Sequence, residues 1–437
     1  MYALTDGNNF YASSEMVFRP SLKGRPLVVL GNGDGCAIAR SNEAKALGIK
    51  MGAPWFEIKH LEREAGLIAL SANFPLYGDM SRRMMGIAAG MGPEQSIYSI
   101  DECFTLGLEG VRGDLARRAR TVRERILQWT GLPTCIGIGQ TPTLAKLANH
   151  VAKSAERKPG SYPAEFAQVL NLAALPSSDF DAIMQATEVG EVWGVGPRIG
   201  RQLVEIGITT VLDLVRMDPV VARRRWSVVL ERTVRELQGQ PCVTLDEAPP
   251  DKKQIAHTRS FGQPISTRAE LEHAVIAFAS AAAVKLRLQS GLAGQVLIFI
   301  STSPFRKVKQ HSGSIVVPLR RPTADSAQIA HAAAAGLHRI WRQGFEFSKA
   351  GIMLLDLQRA DAAMPAQGEL DLEEEGGRDR SQLMRTMDTL NDRYGRGTIR
   401  LAGAGTERPG LAQPWQPRQE RRTPHYTTDW NDLPIAR

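Results

Sequence analysis

Three carboxylates stand where strand-like segments of this sequence end or turn. Residues 96–105 have the Ile, Tyr, Phe and Thr content of a strand, but Asp101 and Glu102 interrupt it. Neighbouring residues of a strand point to opposite faces, so these acids can share a site only at a turn or strand end. An exposed edge strand is the alternative. A third acid, Asp6, ends the segment 2–5, and this favours a divalent-metal site, because Mg²⁺ binds carboxylate oxygens and retains positions for phosphates.

Aromatic and basic residues near these acids are candidates to hold a phosphorylated ligand. The first acid is followed by Gly-Asn-Asn-Phe-Tyr, and this tight turn should bring Phe10 and Tyr11 close to its carboxylate. Either ring could instead belong to the core. Arg40 and Lys45 have almost no acid near them in the sequence. They are candidates to bind a phosphate or, with equal support, members of a solvated helix face.

The elements that must position these residues are predicted from the sequence pattern. Residues 113–131 predict an amphipathic helix that ends at a glycine, and a glycine-interrupted strand follows at 134–139. Thr141 before a proline is a good start for the next helix. One face of that helix carries Lys146, Asn149 and Lys153. These elements together predict an α+β fold, with an antiparallel or mixed sheet backed by helices.

The second half of the chain offers candidates for contact with a nucleic acid. Residues 192–200 have the form of a helix-hairpin-helix, in which backbone N–H groups at a helix start bind a DNA phosphate. A plain turn would show the same short Gly-x-Gly pattern. The candidate contacts are Gly194, Gly196 and Arg198. Further on, the sequence predicts an Ala-rich helix at 271–290, a strand at 295–301 and a second Ala-rich helix at 326–343.

Length and charge limit the classes of protein that this chain can be. Its 437 residues leave room for roughly three or four domains. Lys and Arg exceed Asp and Glu by 54 to 46, and the net charge of +8 favours a polyanionic partner. The four cysteines have no metal-finger spacing, which is typical of reduced cytosolic thiols. No apolar stretch approaches the ~20 residues of a membrane span, so we expect a soluble cytoplasmic protein.

Several ordered motifs resemble those of the Y-family DNA polymerases, and within that family the UmuC type, the catalytic subunit of bacterial DNA polymerase V. The motifs are Asp6 with Phe10-Tyr11-Ala-Ser, the run 43–52, Tyr98-Ser-Ile-Asp-Glu102 and Leu144-Ala-Lys-Leu-Ala-Asn-His150. The resemblance covers residues 1–360 and implies a multidomain right-hand fold with a C-terminal little finger. The implied domains are the palm at 1–18 and 75–165, the fingers at 19–74, the thumb at 166–248, the little finger at 254–357 and a partly disordered, partner-binding tail at 358–437.

The resemblance implies nucleotidyl transfer assisted by two Mg²⁺ ions. By analogy Asp6 and Asp101 would bind both ions, Glu102 would bind the ion at the primer end, and the Gly7 carbonyl would add a backbone ligand. Related sequences carry a larger residue than Gly7 at that position. The implied nucleotide contacts are Phe10, Tyr11, Arg40, Lys45 and Lys153, with Tyr11 as a steric gate against ribonucleotides.

Contacts with primer–template DNA and with partner proteins are also implied by the resemblance. Beyond the hairpin, the DNA contacts would be Thr258, Arg259, Arg306 and Lys307. Residues 367–372 resemble a sliding-clamp peptide, whose candidate contacts are Gln367, Leu370 and Leu372. Activity would require a processed UmuD-type dimer and a RecA filament.

Three functions compete at this point. The first is an error-prone translesion DNA-directed DNA polymerase that acts in an SOS-type damage response. The second is a non-catalytic relative that serves as a scaffold for mutagenic replication; such a relative is expected to have lost carboxylates, and all three are present. The third is another palm-type enzyme such as a nucleotide cyclase, which would have no use for a thumb hairpin or a basic C-terminal domain.

Overall fold

A computed structural model describes residues 1–31, 33–245, 251–360, 380–405 and 415–434. The chain divides into two compact units. The first comprises Met1–Leu30, Ala37–Pro249 and Arg421–Arg437, and the second comprises Gly31–Cys36 and Pro250–Glu420.

The N-terminal elements carry most of the candidate site. In chain order they are β1 (Tyr2–Gly7), α1 (Phe10–Phe18), β2 (Leu27–Gly31), β3 (Cys36–Arg40), α2 (Asn42–Ala46), α3 (Trp55–Ile58), α4 (Leu61–Glu64), β4 (Ile68–Ser71), α5 (Phe74–Ala88), β5 (Glu94–Ile97), β6 (Glu102–Leu106), α6 (Leu115–Thr130), β7 (Thr134–Gly139) and α7 (Pro142–Arg157). The caps explain several boundaries. Asp114 accepts hydrogen bonds at the start of α6, Gly131 ends that helix at a φ of 74°, and Thr141 caps α7, as their residue types predicted.

A five-stranded mixed sheet forms the centre of the first unit. Its order is β5-β6-β1-β7-β8, where β8 is Val169–Asn171, and every neighbouring pair is antiparallel except β7 and β8. Ala3 shares a core with α5 and α6, whereas Leu4, the next residue of β1, packs with Ala145 of α7. The alternation of β1 therefore places helices on both faces.

The sheet corrects one predicted boundary. The sequence assigned residues from 166 onward to the thumb, but Val169 pairs with Ile136 in parallel, so β8 belongs to the central sheet. A helical cluster follows, which consists of α8 (Ser177–Ala186), α9 (Pro197–Glu205), α10 (Val211–Val215), α11 (Pro219–Arg225) and α12 (Val228–Leu237). A separate three-stranded sheet, in the order β3-β2-β4, carries the region predicted as fingers.

The second unit is a four-stranded antiparallel sheet with two helices on its core. Its elements are β9 (Ile255–Ile265), α13 (Arg268–Leu288), β10 (Gly291–Thr302), β11 (Ser312–Thr323), α14 (Ser326–Ile340), β12 (Phe347–Arg359) and α15 (Ser381–Tyr394), and the strand order is β11-β10-β12-β9. The Ala-rich helices α13 and α14 bury small residues such as Ala279 and Ala333 in a shared core. The predicted strand at 295–301 lies in the C-terminal part of the longer β10.

Parts of the region predicted as a partly disordered tail are folded. Helix α15 packs on the second unit, where Asp388 accepts two hydrogen bonds of 2.7 Å from Arg287 and Met384 is buried. Residues 421–434 instead belong to the first unit. The clamp candidates Gln367, Leu370 and Leu372 lie outside the described residues. Among the residues that are described, no helix is long and apolar enough to cross a membrane.

Candidate active site

The three carboxylates meet where β1 and β6 lie side by side. Asp6 stands directly opposite Glu102 in the antiparallel register. The turn before β6 is closed by Ser99, whose N–H donates to the Glu102 carbonyl over 3.0 Å. The Gly7 N–H donates to the Asp101 carbonyl over 2.8 Å, and this fixes the turn against the end of β1. The acids therefore converge at a hairpin tip, where the sequence required them to be.

Each of the acids already has a polar partner. Asp6 is buried and forms an ion pair with Lys153, while Glu102 pairs with Lys146 over 2.8 Å. The Ser99 hydroxyl donates to the Asp101 carboxylate over 2.6 Å. The pKa of Asp6 is raised to about 7, because burial and nearby Glu102 raise it more than Lys153 lowers it, and burial is the largest cause. The ion pair with Lys153 therefore does not fully offset the burial of this carboxylate.

This donor set fits a divalent cation. No group of three or more His, Cys, Asp or Glu side chains in the described part of the chain is gathered tightly enough to hold a metal as the side chains stand. Two of the acids form ion pairs with lysines, and the third accepts a hydrogen bond from Ser99. All donors are oxygens, as Mg²⁺ prefers, and a cation beside Asp6 would stabilise the charged form that burial disfavours. Asp6, Asp101, Glu102 and the Gly7 carbonyl are the residues that would hold it.

A cavity of about 350 Å³ adjoins these acids. Eight of the residues that the sequence singled out line this cavity. They are Asp6, Gly7, Phe10, Tyr11, Arg40, Lys45, Asp101 and Lys153. Glu102 lies beside this group, since it pairs in register with Asp6. The structure thus brings the predicted metal-binding and nucleotide-binding residues of the first unit to one place.

Positive charge is concentrated in this cavity beyond what the sequence indicated. Lys45 is half-buried, and burial together with Arg157, Arg40 and Lys153 lowers its pKa to about 8. Arg157 was not predicted. It follows Lys153 by four residues on α7, so the helical spacing that placed Lys146 and Lys153 on one face could have revealed it.

Two of the cations are held by the surrounding backbone and turn. Arg40 donates to the Ile49 carbonyl over 2.8 Å, and burial lowers the pKa of its guanidinium. The Lys45 ammonium donates to the Asn9 side chain over 2.5 Å. Asn9 adopts a left-handed φ of 51° directly before α1, a conformation that asparagine tolerates better than most residues. The sequence analysis did not single out Asn9.

The two adjacent rings after the turn have different positions. Phe10 is only 3% exposed and belongs to the core of the first unit. Tyr11 is partly exposed, lines the cavity and stacks on Tyr77 with a centroid distance of 4.5 Å. Phe10 also explains the glycine before it, because a Cβ on Gly7 would stand 2.9 Å from the Phe10 ring.

Lys146 is a further residue that the sequence placed on the correct face without assigning it to the site. Its ammonium lies 4.4 Å from the Tyr98 ring centroid and 5.1 Å from that of Trp193, while it pairs with Glu102. Such cation–π contacts hold the ammonium in place. Lys146 therefore orients one of the candidate metal ligands.

The DNA-binding candidates lie on both units. Gly196 caps α9, whose first residue is Pro197, and Arg198 is exposed on the first turn of that helix. Gly194 has a φ of 93°, which favours glycine. In the second unit, Thr258 and Arg259 lie on the edge strand β9, and Arg306 and Lys307 lie between β10 and β11. Arg306 pairs with Glu346 over 2.9 Å.

Comparisons with known proteins agree with this arrangement. The impB/mucB/samB family matches residues 5–150, its C-terminal domain matches 252–370, and a Domain of unknown function (DUF4113) matches 381–436. The chain is 41% identical to Protein ImpB of Salmonella typhimurium over 100% of both chains. It is 42% identical to Protein UmuC of Salmonella typhimurium strain LT2 over 99% of each. A solved Y-family DNA polymerase chimera, Dbh-Dpo4(243-245)-Dbh, shares the fold with a TM-score of 0.60 at 17% identity, over 82% of this chain and 99% of that one.

The family matches, the relatives and the fold together define a right-hand DNA polymerase of the Y family. The chain belongs to the impB/mucB/samB family, the UmuC type of Y-family DNA polymerase, and is a DNA-directed DNA polymerase of error-prone translesion synthesis. The resemblance stated from the sequence, the fold class and the polymerase prediction are therefore confirmed. A non-catalytic scaffold is not favoured.

Proposed function

We propose that this polymerase adds deoxynucleotides to a primer end with Asp6, Asp101, Glu102 and the Gly7 carbonyl as ligands of two Mg²⁺ ions. The supporting observation is the convergence of these acids at a cavity that is lined by four cations. When bound, Mg²⁺ would lower the pKa of the primer 3′-hydroxyl and neutralise charge on the departing pyrophosphate. The chain itself supplies the buried Asp6, the partly exposed Asp101 and Glu102, and the shape of the cavity.

The cations of the cavity are proposed to bind the triphosphate. Lys45, Lys153 and Arg157 offer charge-assisted hydrogen bonds to phosphate oxygens. Burial and repulsion from Arg157 and the other neighbouring cations lower the pKa of Lys45, and an anion beside it would stabilise its charged form. Lys153 pairs with Asp6 in this structure and would exchange that partner for phosphate. Arg40, anchored to the Ile49 carbonyl, would set the cavity wall behind them.

Tyr11 is proposed to exclude ribonucleotides. Its ring forms part of the cavity wall close to Asp6 and Asp101, where the sugar of a nucleotide bound through its phosphates would lie. A ring in that place rejects a 2′-hydroxyl by steric clash and needs no favourable contact with the deoxy sugar. Phe10 supports the turn from the core.

Primer–template DNA is the proposed substrate of both units. Gly194, Gly196 and Arg198 would bind the phosphate backbone at the start of α9, where helix N–H groups and a cation coincide. In the second unit Thr258, Arg259, Arg306 and Lys307 would add further phosphate contacts. For Arg306 this requires exchange of its partner Glu346 for phosphate.

The proposed function also includes dependence on partner proteins. We expect synthesis in an SOS-type response to require a processed UmuD-type dimer and a RecA filament, with a sliding clamp contacting Gln367, Leu370 and Leu372. All of this would occur in the cytoplasm, and the free thiols of the four cysteines agree with that location. A chain that synthesises equally well with and without these partners would contradict the dependence.

A primer-extension assay tests the proposal directly. On plain and abasic templates, with and without partners, Asp101→Asn or Glu102→Gln should reduce nucleotide addition by roughly 10²-fold or more, because charge stabilisation of the transferred phosphate is lost. DNA binding, measured by fluorescence anisotropy, should be nearly unchanged. Glu94→Gln is the matched control, since Glu94 is an exposed acid of the neighbouring strand β5. Extension by either site variant at the parent rate would refute the metal assignment.

A further inference from the structure

The Tyr11 ring stacks on a second tyrosine, whose hydroxyl forms a hydrogen bond of its own. Tyr77 of α5 stacks on Tyr11 at 4.5 Å with an interplanar angle of 16°. Tyr77 is fully buried, and its hydroxyl donates to the Glu15 carboxylate over 2.7 Å. Glu15 follows Tyr11 by one turn of α1. Tyr77 is therefore fixed by two residues of one helix, one through its ring and one through its hydroxyl.

Glu15 receives a second hydrogen bond from a residue near the other end of the chain. The Thr423 hydroxyl donates to the same carboxylate oxygen, Oε1, over 3.1 Å. Glu15 is fully buried, and its other oxygen, Oε2, has no hydrogen-bond partner within the described residues. Burial raises the pKa of Glu15, while the hydrogen bonds from Tyr77 and Thr423 lower it. Thr423 is thus one of two side-chain donors to a buried carboxyl group.

Thr423 is also tied to the start of the helix that carries Tyr77. Asn73 caps α5 and donates through its side chain to the Thr423 hydroxyl oxygen over 3.1 Å and to the Pro424 carbonyl over 2.9 Å. Phe74, the first residue of α5, meets the Tyr11 ring edge-on at 5.9 Å. Two of the three rings that contact Tyr11, those of Phe74 and Tyr77, therefore belong to the helix whose cap contacts Thr423, and the third is its neighbour Phe10.

Residues 421–434, which we name the terminal strap, are anchored on both sides of Thr423. On one side Arg421 pairs with Glu62, lies 4.9 Å from the Trp55 ring centroid and exchanges backbone and hydroxyl hydrogen bonds with Ser71. On the other side the Tyr426 ring stacks on Phe18, at the end of α1, at 4.9 Å. The strap is consequently held in place on both sides of Thr423, which contacts Glu15.

We propose that the terminal strap, through Thr423, positions Tyr11 and so determines how strongly the active site excludes ribonucleotides. This inference rests on the proposed role of Tyr11 as a steric gate. A steric gate excludes the 2′-hydroxyl only if its ring stays in place when a ribonucleotide pushes against it. A packed ring stays in place when the residues around it are fixed. Thr423 touches no nucleotide. It is a positioning residue that acts through Glu15 and Tyr77, and it assigns a role to part of the region matched by a domain of unknown function.

Thr423→Val tests the proposal because it removes the hydroxyl and keeps the shape. Ribonucleotide and deoxynucleotide kcat/KM are measured opposite the same template base. Discrimination should fall by roughly two- to tenfold, the range that one hydrogen bond corresponds to, through faster ribonucleotide insertion. Thr423→Ser keeps the hydroxyl and should restore discrimination. Thr428→Val is the matched control, since Thr428 is an exposed strap residue whose hydroxyl donates to the His425 carbonyl.

A double-mutant cycle with Tyr11→Ala separates the strap from the gate. In the Tyr11→Ala background, Thr423→Val should change discrimination no further. If Tyr11→Ala loosens discrimination but Thr423→Val leaves it unchanged, or lowers both kcat/KM values equally, the positioning role is overturned and the gate stands. If Tyr11→Ala alone leaves discrimination unchanged, the gate itself is overturned and this inference with it.

Thermal unfolding of each variant shows whether it is folded under the assay conditions. Should Thr423→Val fail to fold, Tyr77→Phe tests the same contacts, because it removes the other hydrogen bond to Glu15 and keeps the ring stack. The same roughly two- to tenfold loss of discrimination is expected. A folded Tyr77→Phe protein with parental discrimination would overturn the proposal.

Discussion

The cavity carries both an acid and cations, so it suits a ligand that contains both positive and negative charge. Burial and Glu102 raise the pKa of Asp6 to about 7, whereas burial and three neighbouring cations lower the pKa of Lys45 to about 8. A metal ion beside Asp6 would lower the first value, and a phosphate beside Lys45 would raise the second. Both departures would be reversed by a nucleotide triphosphate bound with its metal ions. Lys153 contributes to both shifts, and both are consistent with the same ligand.

Tyr11 offers the clearest test at the scale of one residue. Tyr11→Ala should raise ribonucleotide insertion strongly relative to deoxynucleotide insertion, because the ring that excludes the 2′-hydroxyl is removed. Loss of a ring with only a core role would instead cost about 3–5 kcal/mol of stability and lower both insertions. Single-nucleotide insertion kinetics together with thermal unfolding distinguish these results. A folded variant that extends with deoxynucleotides and still rejects ribonucleotides like the parent would contradict the gate.

Residue types and short-range spacing singled out the acids, Arg40 and Lys45 as candidates, whereas the family resemblance supplied the roles proposed for Lys45 and Lys153. Asp6, Asp101 and Glu102 needed only the rule that acids in strand-like segments meet at ends and turns, and the structure places them there. Asn9 could not be found this way, because its contact with Lys45 joins residues 36 positions apart. A contact of that kind depends on how α1 and α2 approach one another, which local patterns do not encode.

At the scale of elements, the approach of α7 to the central sheet decides where Lys146 and Lys153 lie. The sequence showed that glycines interrupt β7 but gave no reason for them. The structure supplies one, since a Cβ on Gly137 would stand 2.2 Å from the Asn149 backbone nitrogen. Glycine thus lets the helix lie directly on the strand.

Gly137→Ala should therefore push α7 away from the sheet. We expect a loss of about 1–3 kcal/mol or more in the free energy of unfolding, as in other overpacked cores, together with slower nucleotide addition. Denaturant unfolding measures the first effect and primer extension the second. Gly78→Ala on α5 is the matched control, because open space surrounds that position and alanine favours a helix by about 1 kcal/mol. Equal stability of the two variants would contradict this account of β7.

Helices and strands with strong local patterns were predicted well, whereas the C-terminal elements were not. Caps and periodicity identified α6 and α7 to within a few residues. Helix α15 and the terminal strap gain their order from distant partners, as in the pairing of Asp388 with Arg287 or of Thr423 with Glu15. The Gly, Pro and Arg content of that region led the sequence analysis to predict disorder. That prediction missed these elements, because composition alone does not reveal long-range contacts.

The chain has a net charge of +8, and exposed cations lie on both units. Arg198 is exposed at the start of α9 in the first unit, and Arg259 is exposed on the edge strand β9 in the second. Family membership does not say which of these cations bind phosphate. Salt dependence does, because each phosphate that a cation neutralises releases counterions from the DNA.

Arg198→Ala and Arg259→Ala should each lower the magnitude of the negative slope of log Kobs against log salt concentration by about one. The double variant should lower it by about two if the two cations neutralise separate phosphates. Anisotropy titrations of labelled primer–template DNA at several salt concentrations give these slopes. Arg235→Ala is the control, since Arg235 lies on α12 in an ion pair of 3.0 Å with Glu231, and its slope should equal that of the parent. An unchanged slope for either single variant would remove that arginine from the DNA interface and leave the phosphate contacts of its unit to other residues.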